Sequence, residues 1–202
     1  MGKQAPRQLH AQTGAMFGLD ARIALAIFAI IAVIAGVAVV MSVDSTRAKS
    51  LATELTETGH AIELYHNDLK EDIFATLDVP STANAFEALY DDSVITDQGG
   101  LRSRWNGPYI KYTSNDNPHY GNMFIEKHAA DHTQACDPQE ICYLYLIYSR
   151  VKPGIVDEVN TLLDGKYEQH PDTMGRVQWS QDNDAYRILY YRVSRALTSQ
   201  ME

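Results

Sequence analysis

Residues 23–43 form a run of 21 consecutive residues without a charged side chain, IALAIFAIIAVIAGVAVVMSV. As an α-helix this run would span roughly 31 Å, which matches the hydrocarbon core of a bilayer. A buried core helix is the first alternative, but a domain of this size has little use for a helix that is apolar on every side. A cleaved signal peptide is the second, although its apolar region is ordinarily about 7–15 residues long. We therefore predict that residues 23–43 form a transmembrane helix.

Charge divides the chain at the end of this run. The chain holds 17 Lys and Arg and 26 Asp and Glu, and only four of these precede residue 44: Lys3, Arg7, Asp20 and Arg22. Residues 44–202 therefore carry 14 bases against 25 acids. A net charge of -9 argues against a nucleic-acid partner, which would require a clustered basic face. The bases before the run favour a cytoplasmic N-terminus and an exported acidic remainder.

A short motif precedes the apolar run. Residues 14–22 read GAMFGLDAR, and Asp20 stands at the predicted membrane edge, where a lipid-exposed carboxylate is costly and therefore indicates a function. The pattern is a basic leader, a small residue, an apolar residue and then an acid, all before about 20 apolar residues. The acid stands at the fifth position when the apolar residue is counted as the first. This pattern resembles the class III leader of type IV pilins and type II secretion pseudopilins.

The resemblance implies a leader at residues 1–15, cut between Ala15 and Met16 by a membrane prepilin peptidase that then methylates the new N-terminal amine. Ala15 stands where Gly is usual in the family, and Asp20 stands where Glu is usual. A cut after Gly14 is the alternative, but it moves Asp20 to the sixth mature position. The implied role of Asp20 is assembly: in a dry filament core its carboxylate pairs with the N-terminal ammonium of a neighbouring subunit. The alternative for Asp20 is a solvated residue at the membrane surface.

Helical periodicity continues beyond the predicted span. Apolar or small residues recur at intervals of three and four, with polar residues between them: Ala48, Leu51, Ala52, Leu55, Gly59, Ile62 and Tyr65 or His66. We predict one long helix at residues 16–68, whose first half spans the membrane and whose second half packs on a head domain. Pilin-like proteins share this architecture.

Residues 69–202 are predicted to form the head, which is periplasmic or extracellular. Its patterns predict helices at residues 84–90 and 155–163 and strands at 123–127, 141–151, 175–179 and 186–193. The predicted fold class is α+β, with the long N-terminal helix packed on a small antiparallel sheet in a pilin-like arrangement. The segment at residues 105–110, WNGPYI, resembles the W-x-G-P-Y-I segment of major pseudopilins and related pilins.

The two cysteines, Cys136 and Cys142, are six residues apart. An exported head lies in an oxidising compartment, so we predict a disulfide that closes this small loop. The alternative is a zinc site, because His128, His132 and Cys136 would share one face of a helix at their spacing of four.

The sequence contains few motifs that indicate a cofactor or an enzyme activity. Asp164 and Gly165, followed by residues 170–173 (HPDT), resemble the acidic loop of pilin-like proteins, and some pseudopilins bind calcium in such a loop. The carboxylates are sparse, so we predict no metal or other cofactor and keep calcium as an alternative. No nucleophile elbow, zinc-protease motif or phosphate loop is found, and we predict that the protein is not an enzyme.

Together these features predict a structural subunit of a type IV pilus-like filament. Its predicted partners are further copies of itself, the prepilin peptidase, an inner-membrane assembly platform and the lipid bilayer. It would enter the bacterial inner membrane as a single-pass precursor, with the N-terminus cytoplasmic and the head periplasmic, and then join a pilus or pseudopilus. A type II secretion pseudopilin is the first alternative, and an uncleaved, signal-anchored periplasmic binding or enzyme domain is the second.

Overall fold

A computed structural model describes residues 14–136, 141–166 and 170–196, and it describes their side chains except at 14–17, 19 and 37–42. The chain divides into two compact units, Met1–Val43 and Asp44–Glu202. Of the predicted leader, only Gly14 and Ala15 fall within the described residues, both as helical backbone.

The helix α1, Gly14–Leu69, contains 56 residues and ends one residue beyond the predicted end. In the Asp44–Glu202 unit it buries one face, formed by all the positions that the periodicity predicts: Ala48, Leu51, Ala52, Leu55, Gly59, Ile62 and Tyr65. At Gly59 the helix lies close to the sheet, because a β-carbon there would lie 3.3 Å from the Tyr191 ring and 3.5 Å from Val193. The amphipathic half of α1 therefore packs on the head, as predicted.

The sheet has five antiparallel strands: β1 (Asp116–Asn117), β2 (Gly121–His128), β3 (Tyr143–Val151), β4 (Val177–Gln181) and β5 (Arg187–Arg195). Their spatial order is β1-β2-β3-β5-β4, so the most apolar strand, β3, lies at the centre. Alternate residues of β3 serve two faces, and Leu144, Leu146 and Tyr148 enter the main core with α1. The α+β class with an antiparallel sheet is confirmed.

Three further α-helices are described: α2 (Thr82–Glu87), α3 (Leu101–Arg104) and α4 (Pro153–Leu163). Ser81 caps α2 by accepting a hydrogen bond from the Asn84 amide, and Pro153 occupies the first turn of α4, where no intrahelical donor is needed. Short 3₁₀ turns at Ile73–Thr76, Asp92–Val94 and Gln98–Gly100 connect them.

Predicted element boundaries need small corrections. The helix predicted at 84–90 begins at Thr82 and ends at Glu87, because the chain turns at Tyr90, whose amide donates to the Glu87 carbonyl. The strand predicted from residue 175 begins at Val177, because the Asp164 carboxylate takes the Arg176 and Val177 amides at 2.8 and 2.7 Å. The strand predicted from residue 186 begins at Arg187, and that predicted from 141 begins at Tyr143.

Candidate functional site

The first part of α1 carries an unusually exposed apolar surface. Eight large apolar side chains are each 53–70% exposed: Ile23, Leu25, Ile27, Phe28, Ile30, Ile31, Val33 and Ile34. At about 100° per residue these positions point to all sides of the helix, so no single neighbouring surface could cover them. A soluble protein surface rarely leaves such a patch open, and its presence indicates a contact with lipid or with other protein chains.

Asp20 is exposed on the same helix, three residues before Ile23. It is the only acid within residues 14–43. Ala15 and Met16 are described as helical backbone without side chains, so the predicted processing site has a backbone conformation and no described contacts. The predicted roles of Ala15, Met16 and Asp20 stay predictions.

Among the residues with described side chains, no helix combines the length and the hydropathy that a membrane crossing requires. Positions 37–42 of the span predicted at residues 23–43 fall outside that set.

The segment at residues 105–110 fastens the head to the end of the α1 helix. The Trp105 indole donates to the Ala88 carbonyl at 2.9 Å, and the Tyr109 hydroxyl donates to Asp68 of α1 at 2.7 Å. The Tyr109 ring also makes edge contacts with Tyr65 and with Trp105, each at 5.7 Å between centroids. The Gly107–Pro108 peptide bond is cis. The aromatic residues of the W-x-G-P-Y-I motif thus serve packing and hydrogen bonding.

Cys136 and Cys142 form the predicted disulfide, with their Cα atoms 5.5 Å apart. Because Cys136 is bonded to Cys142, it has no free thiol to bind zinc in the alternative site. Nor do the histidines of that alternative lie on a helix with Cys136: His128 ends β2, while His132 is buried in the following loop and stacks on Tyr190 at 4.2 Å.

His132 is held in place as part of the head. Its amide donates to the Gln178 side-chain oxygen at 2.9 Å, and Gln178 in turn donates to the Ala130 carbonyl at 2.9 Å. Burial lowers the pKa of His132 below its ordinary value. The ring is therefore neutral at pH 7, and its contacts indicate a role in packing the loop on the sheet.

The acidic loop considered for calcium uses its first carboxylate locally. Asp164 holds the amides of Arg176, just before β4, and of Val177, its first residue, and Gly165 adopts a positive φ of 97° that favours glycine. Asp172 offers its backbone carbonyl to the Trp179 amide at 3.0 Å. No cluster of three His, Cys, Asp or Glu side chains suited to a metal occurs within residues 14–136, 141–166 and 170–196.

A carboxylate missed by the sequence analysis organises the middle of α1. Glu54 is half-buried and accepts hydrogen bonds through Oε1 from Tyr148 at 2.6 Å, from Asn117 at 3.3 Å and from Tyr112. Burial, together with this carboxylate, raises the pKa values of Tyr148 and Tyr112 above the usual value, so both hydroxyls remain protonated donors. Glu54 also lines an open groove of about 750 Å³ beside residues 109–112.

A buried ion pair lies near the end of α1. The Lys127 ammonium is 2.6 Å from Asp72 Oδ1, and the Asp72 side chain is only 3% exposed. The same oxygen accepts the Phe74 amide at 3.0 Å, whereas Asp72 Oδ2 has no hydrogen-bond partner among the described residues. Burial lowers the pKa of the neighbouring His66 and raises the pKa of Tyr65 to about 12. The ion pair joins β2 to the turn that follows α1.

No family model, curated protein or solved structure matches this chain.

Proposed function

We propose that this protein is a structural subunit of a type IV pilus-like filament. It is made as a membrane-anchored precursor, cut between Ala15 and Met16 by a prepilin peptidase, and polymerised through the first part of α1. The observation that carries the proposal is the all-round apolar surface of α1 between residues 23 and 34, preceded by the single carboxylate of Asp20.

The apolar surface supplies the driving force for both proposed states. Covering a large aliphatic or aromatic side chain is worth roughly 1.5–3 kcal/mol, so covering eight partly exposed ones stabilises the contact by on the order of 10 kcal/mol. Lipid covers this surface in the precursor, and the helices of other subunits cover it in the filament. One helix can therefore serve first as a membrane anchor and then as an assembly element.

Asp20 gives the assembly its register. When a subunit leaves lipid for the filament core, its carboxylate requires a cation, and the ammonium created at Met16 by the cut is the cation that each neighbouring subunit offers. Because this ammonium is absent from the precursor, processing and assembly are coupled. The head, held on α1 by its buried face, then covers the outside of the filament.

A type II secretion pseudopilin is the second candidate within the same architecture. The anchoring of Trp105 and Tyr109 against Ala88 and Asp68 favours it, because the motif that resembles pseudopilins is also the one that ties the head to α1. A signal-anchored periplasmic domain is the remaining candidate. A protein of that kind does not assemble into a filament, so neither the acid before the predicted span nor the long helix α1 would have a role in assembly.

The N-terminus of the mature chain tests the proposal. Intact-mass measurement of the protein extracted from membranes should give the mass of a chain that begins at Met16, with one methyl group added. A cell that lacks prepilin peptidase should yield the chain beginning at Met1. Protein that begins at Met1 in both cells would refute the filament proposal, and a start after the apolar run would identify a secreted protein.

A further inference from the structure

A cationic pocket of about 170 Å³ lies in the Asp44–Glu202 unit. Three basic residues from separate elements line it: Arg47 of α1, Arg150 of β3 and Lys152 at the start of α4. Tyr120 and Tyr186 form aromatic walls, and His119 stands at the same pocket. No carboxylate side chain lines it, although acids outnumber bases 25 to 14 in residues 44–202.

The three cations, Arg47, Arg150 and Lys152, form no ion pair within the described part of the chain. Arg150 stacks over the Tyr186 ring at 5.6 Å, and the Arg47 backbone carbonyl accepts the Tyr120 hydroxyl at 3.2 Å. Stacking and hydrogen bonding thus set the positions of the pocket walls and leave the charged groups available to an anion.

Helix α4 adds to the positive potential. Its N-cap residue is Lys152, which makes no side-chain capping bond, and Ile155 in its first turn lines the pocket. The N-terminus of a helix carries partial positive charge and favours anions. The pocket therefore combines two guanidinium groups, an ammonium group and a helix dipole, which together suit a phosphate group.

The position of Arg47 in the chain indicates where this phosphate comes from. Arg47 follows Val43, the last residue of the predicted span, by four residues, or about 6 Å along a helix. The polar headgroup layer of one bilayer leaflet is roughly 5–7 Å thick. Arginine on the exported side also runs against the usual preference for cytoplasmic bases, so a local reason for it is expected.

We propose that Arg47, Arg150 and Lys152 bind the phosphate of a membrane-lipid headgroup where α1 leaves the bilayer. The inference rests on the membrane anchorage in the proposed function. Binding would hold the otherwise acidic head against the membrane with one defined face, and release of the lipid would accompany transfer of the subunit into a filament.

Native mass spectrometry of the full chain released from detergent micelles tests this, with phosphatidylglycerol and with diacylglycerol, which lacks the phosphate. We expect phosphatidylglycerol to be retained and diacylglycerol lost. The double variant R150Q/K152Q should weaken phosphatidylglycerol binding by roughly 100-fold, since a hydrogen bond from a charged group contributes roughly tenfold or more. R47Q, on a different element, should weaken it by roughly tenfold.

The matched control is K111Q/K166Q, which removes the same charge from two exposed lysines outside the pocket. It should leave lipid retention unchanged, and thermal unfolding by circular dichroism should show all variants folded. Equal losses in the pocket and control variants would mean attraction by overall charge and would overturn the proposal. Equal retention of diacylglycerol would also overturn it.

Inorganic phosphate separates the two sources of the anion. Competition between inorganic phosphate and phosphatidylglycerol supports the pocket, whereas binding of inorganic phosphate by a chain that retains no lipid would refute the lipid assignment. The same spectra report the mass of the chain. Lost lipid on a chain that begins at Met16 therefore refutes only the pocket, and retained lipid on a chain that begins at Met1 refutes only the filament proposal.

Discussion

Replacing Lys127 with Met removes the cation from a buried carboxylate while keeping an unbranched apolar stem beside Phe74. Asp72 would keep one hydrogen bond, from the Phe74 amide, and would lose its only ion-pair partner among the described residues. Breaking a buried ion pair costs about 3–5 kcal/mol, because the remaining charge stays desolvated. The Lys127 side chain is 29% exposed, so water compensates in part, and we expect the lower end, about 3 kcal/mol.

A unit the size of Asp44–Glu202 loses about 2–4 °C of melting temperature per kcal/mol, so K127M should melt about 6–12 °C below wild type. The measurement is thermal unfolding of the full chain in detergent, followed by near-ultraviolet circular dichroism. The control K49M changes an exposed lysine on α1 in the same way and should leave the melting temperature unchanged.

The double variant D72N/K127M separates the charge from packing. Asparagine keeps an oxygen for the Phe74 amide but removes the orphaned charge, so the double variant should be more stable than K127M alone. It also controls for the loss of the Lys127 contact over the Phe74 ring, at 5.1 Å, which contributes about 0.5–1 kcal/mol. A loss below about 1 kcal/mol in K127M, or no recovery in the double variant, would show that the Lys127 charge does not stabilise buried Asp72.

Two further predictions concern the disulfide and pH. The variant C136S/C142S should be less stable by about 2 kcal/mol, because the unfolded chain regains the entropy of a short closed loop, and peptide mapping without reductant should find the linked peptides in wild type alone. Burial lowers the folded-state pKa of His66, beside Asp72, Lys127 and Glu63, so its contribution to stability is complete above the unfolded pKa of about 6.5 and is lost as the pH falls below it. Melting temperatures measured from pH 7 to 5 should therefore fall less steeply in H66Q, although His132 keeps part of the slope because burial lowers its pKa too.

Local sequence signals predict most of the regular elements in the head. The buried face of α1 could be found because its apolar residues recur at intervals of three and four, β3 because its residues are aromatic and β-branched, and α4 because Pro153 and Gly154 mark its start. Errors at element ends arise where a distant side chain decides the boundary. Asp164 does so for β4, because its carboxylate holds the amide of Val177 from 13 residues away along the chain.

The polar interactions within the core could not be predicted in the same way. Glu54 falls on the polar side of the α1 pattern, and only the fold brings to it Tyr112 and Tyr148, 58 and 94 residues away. Asp72 and Lys127 pair across 55 residues for the same reason. Arg47, Arg150 and Lys152 form a pocket only after α1, β3 and α4 assemble. Such sites depend on tertiary contacts for which a single sequence gives no periodic signal.

The most direct test of the filament account is the yield of filaments from D20A. Removing a charge from the membrane edge should not impair insertion, and the head should remain folded because residue 20 lies outside the Asp44–Glu202 unit. Assembly should suffer, because an unpaired ammonium in a dry core costs on the order of 3 kcal/mol per subunit.

The measurement compares the yield of sheared or cross-linked filaments at equal membrane levels of the protein. Two controls belong with it: D20E, which keeps the carboxylate, and D44A, which removes the acid just beyond the other end of the predicted span. We expect few or no filaments for D20A and near wild-type yields for D20E and D44A. Wild-type yield from D20A would show that Asp20 has no part in assembly and would rule out the proposed pairing with the Met16 ammonium.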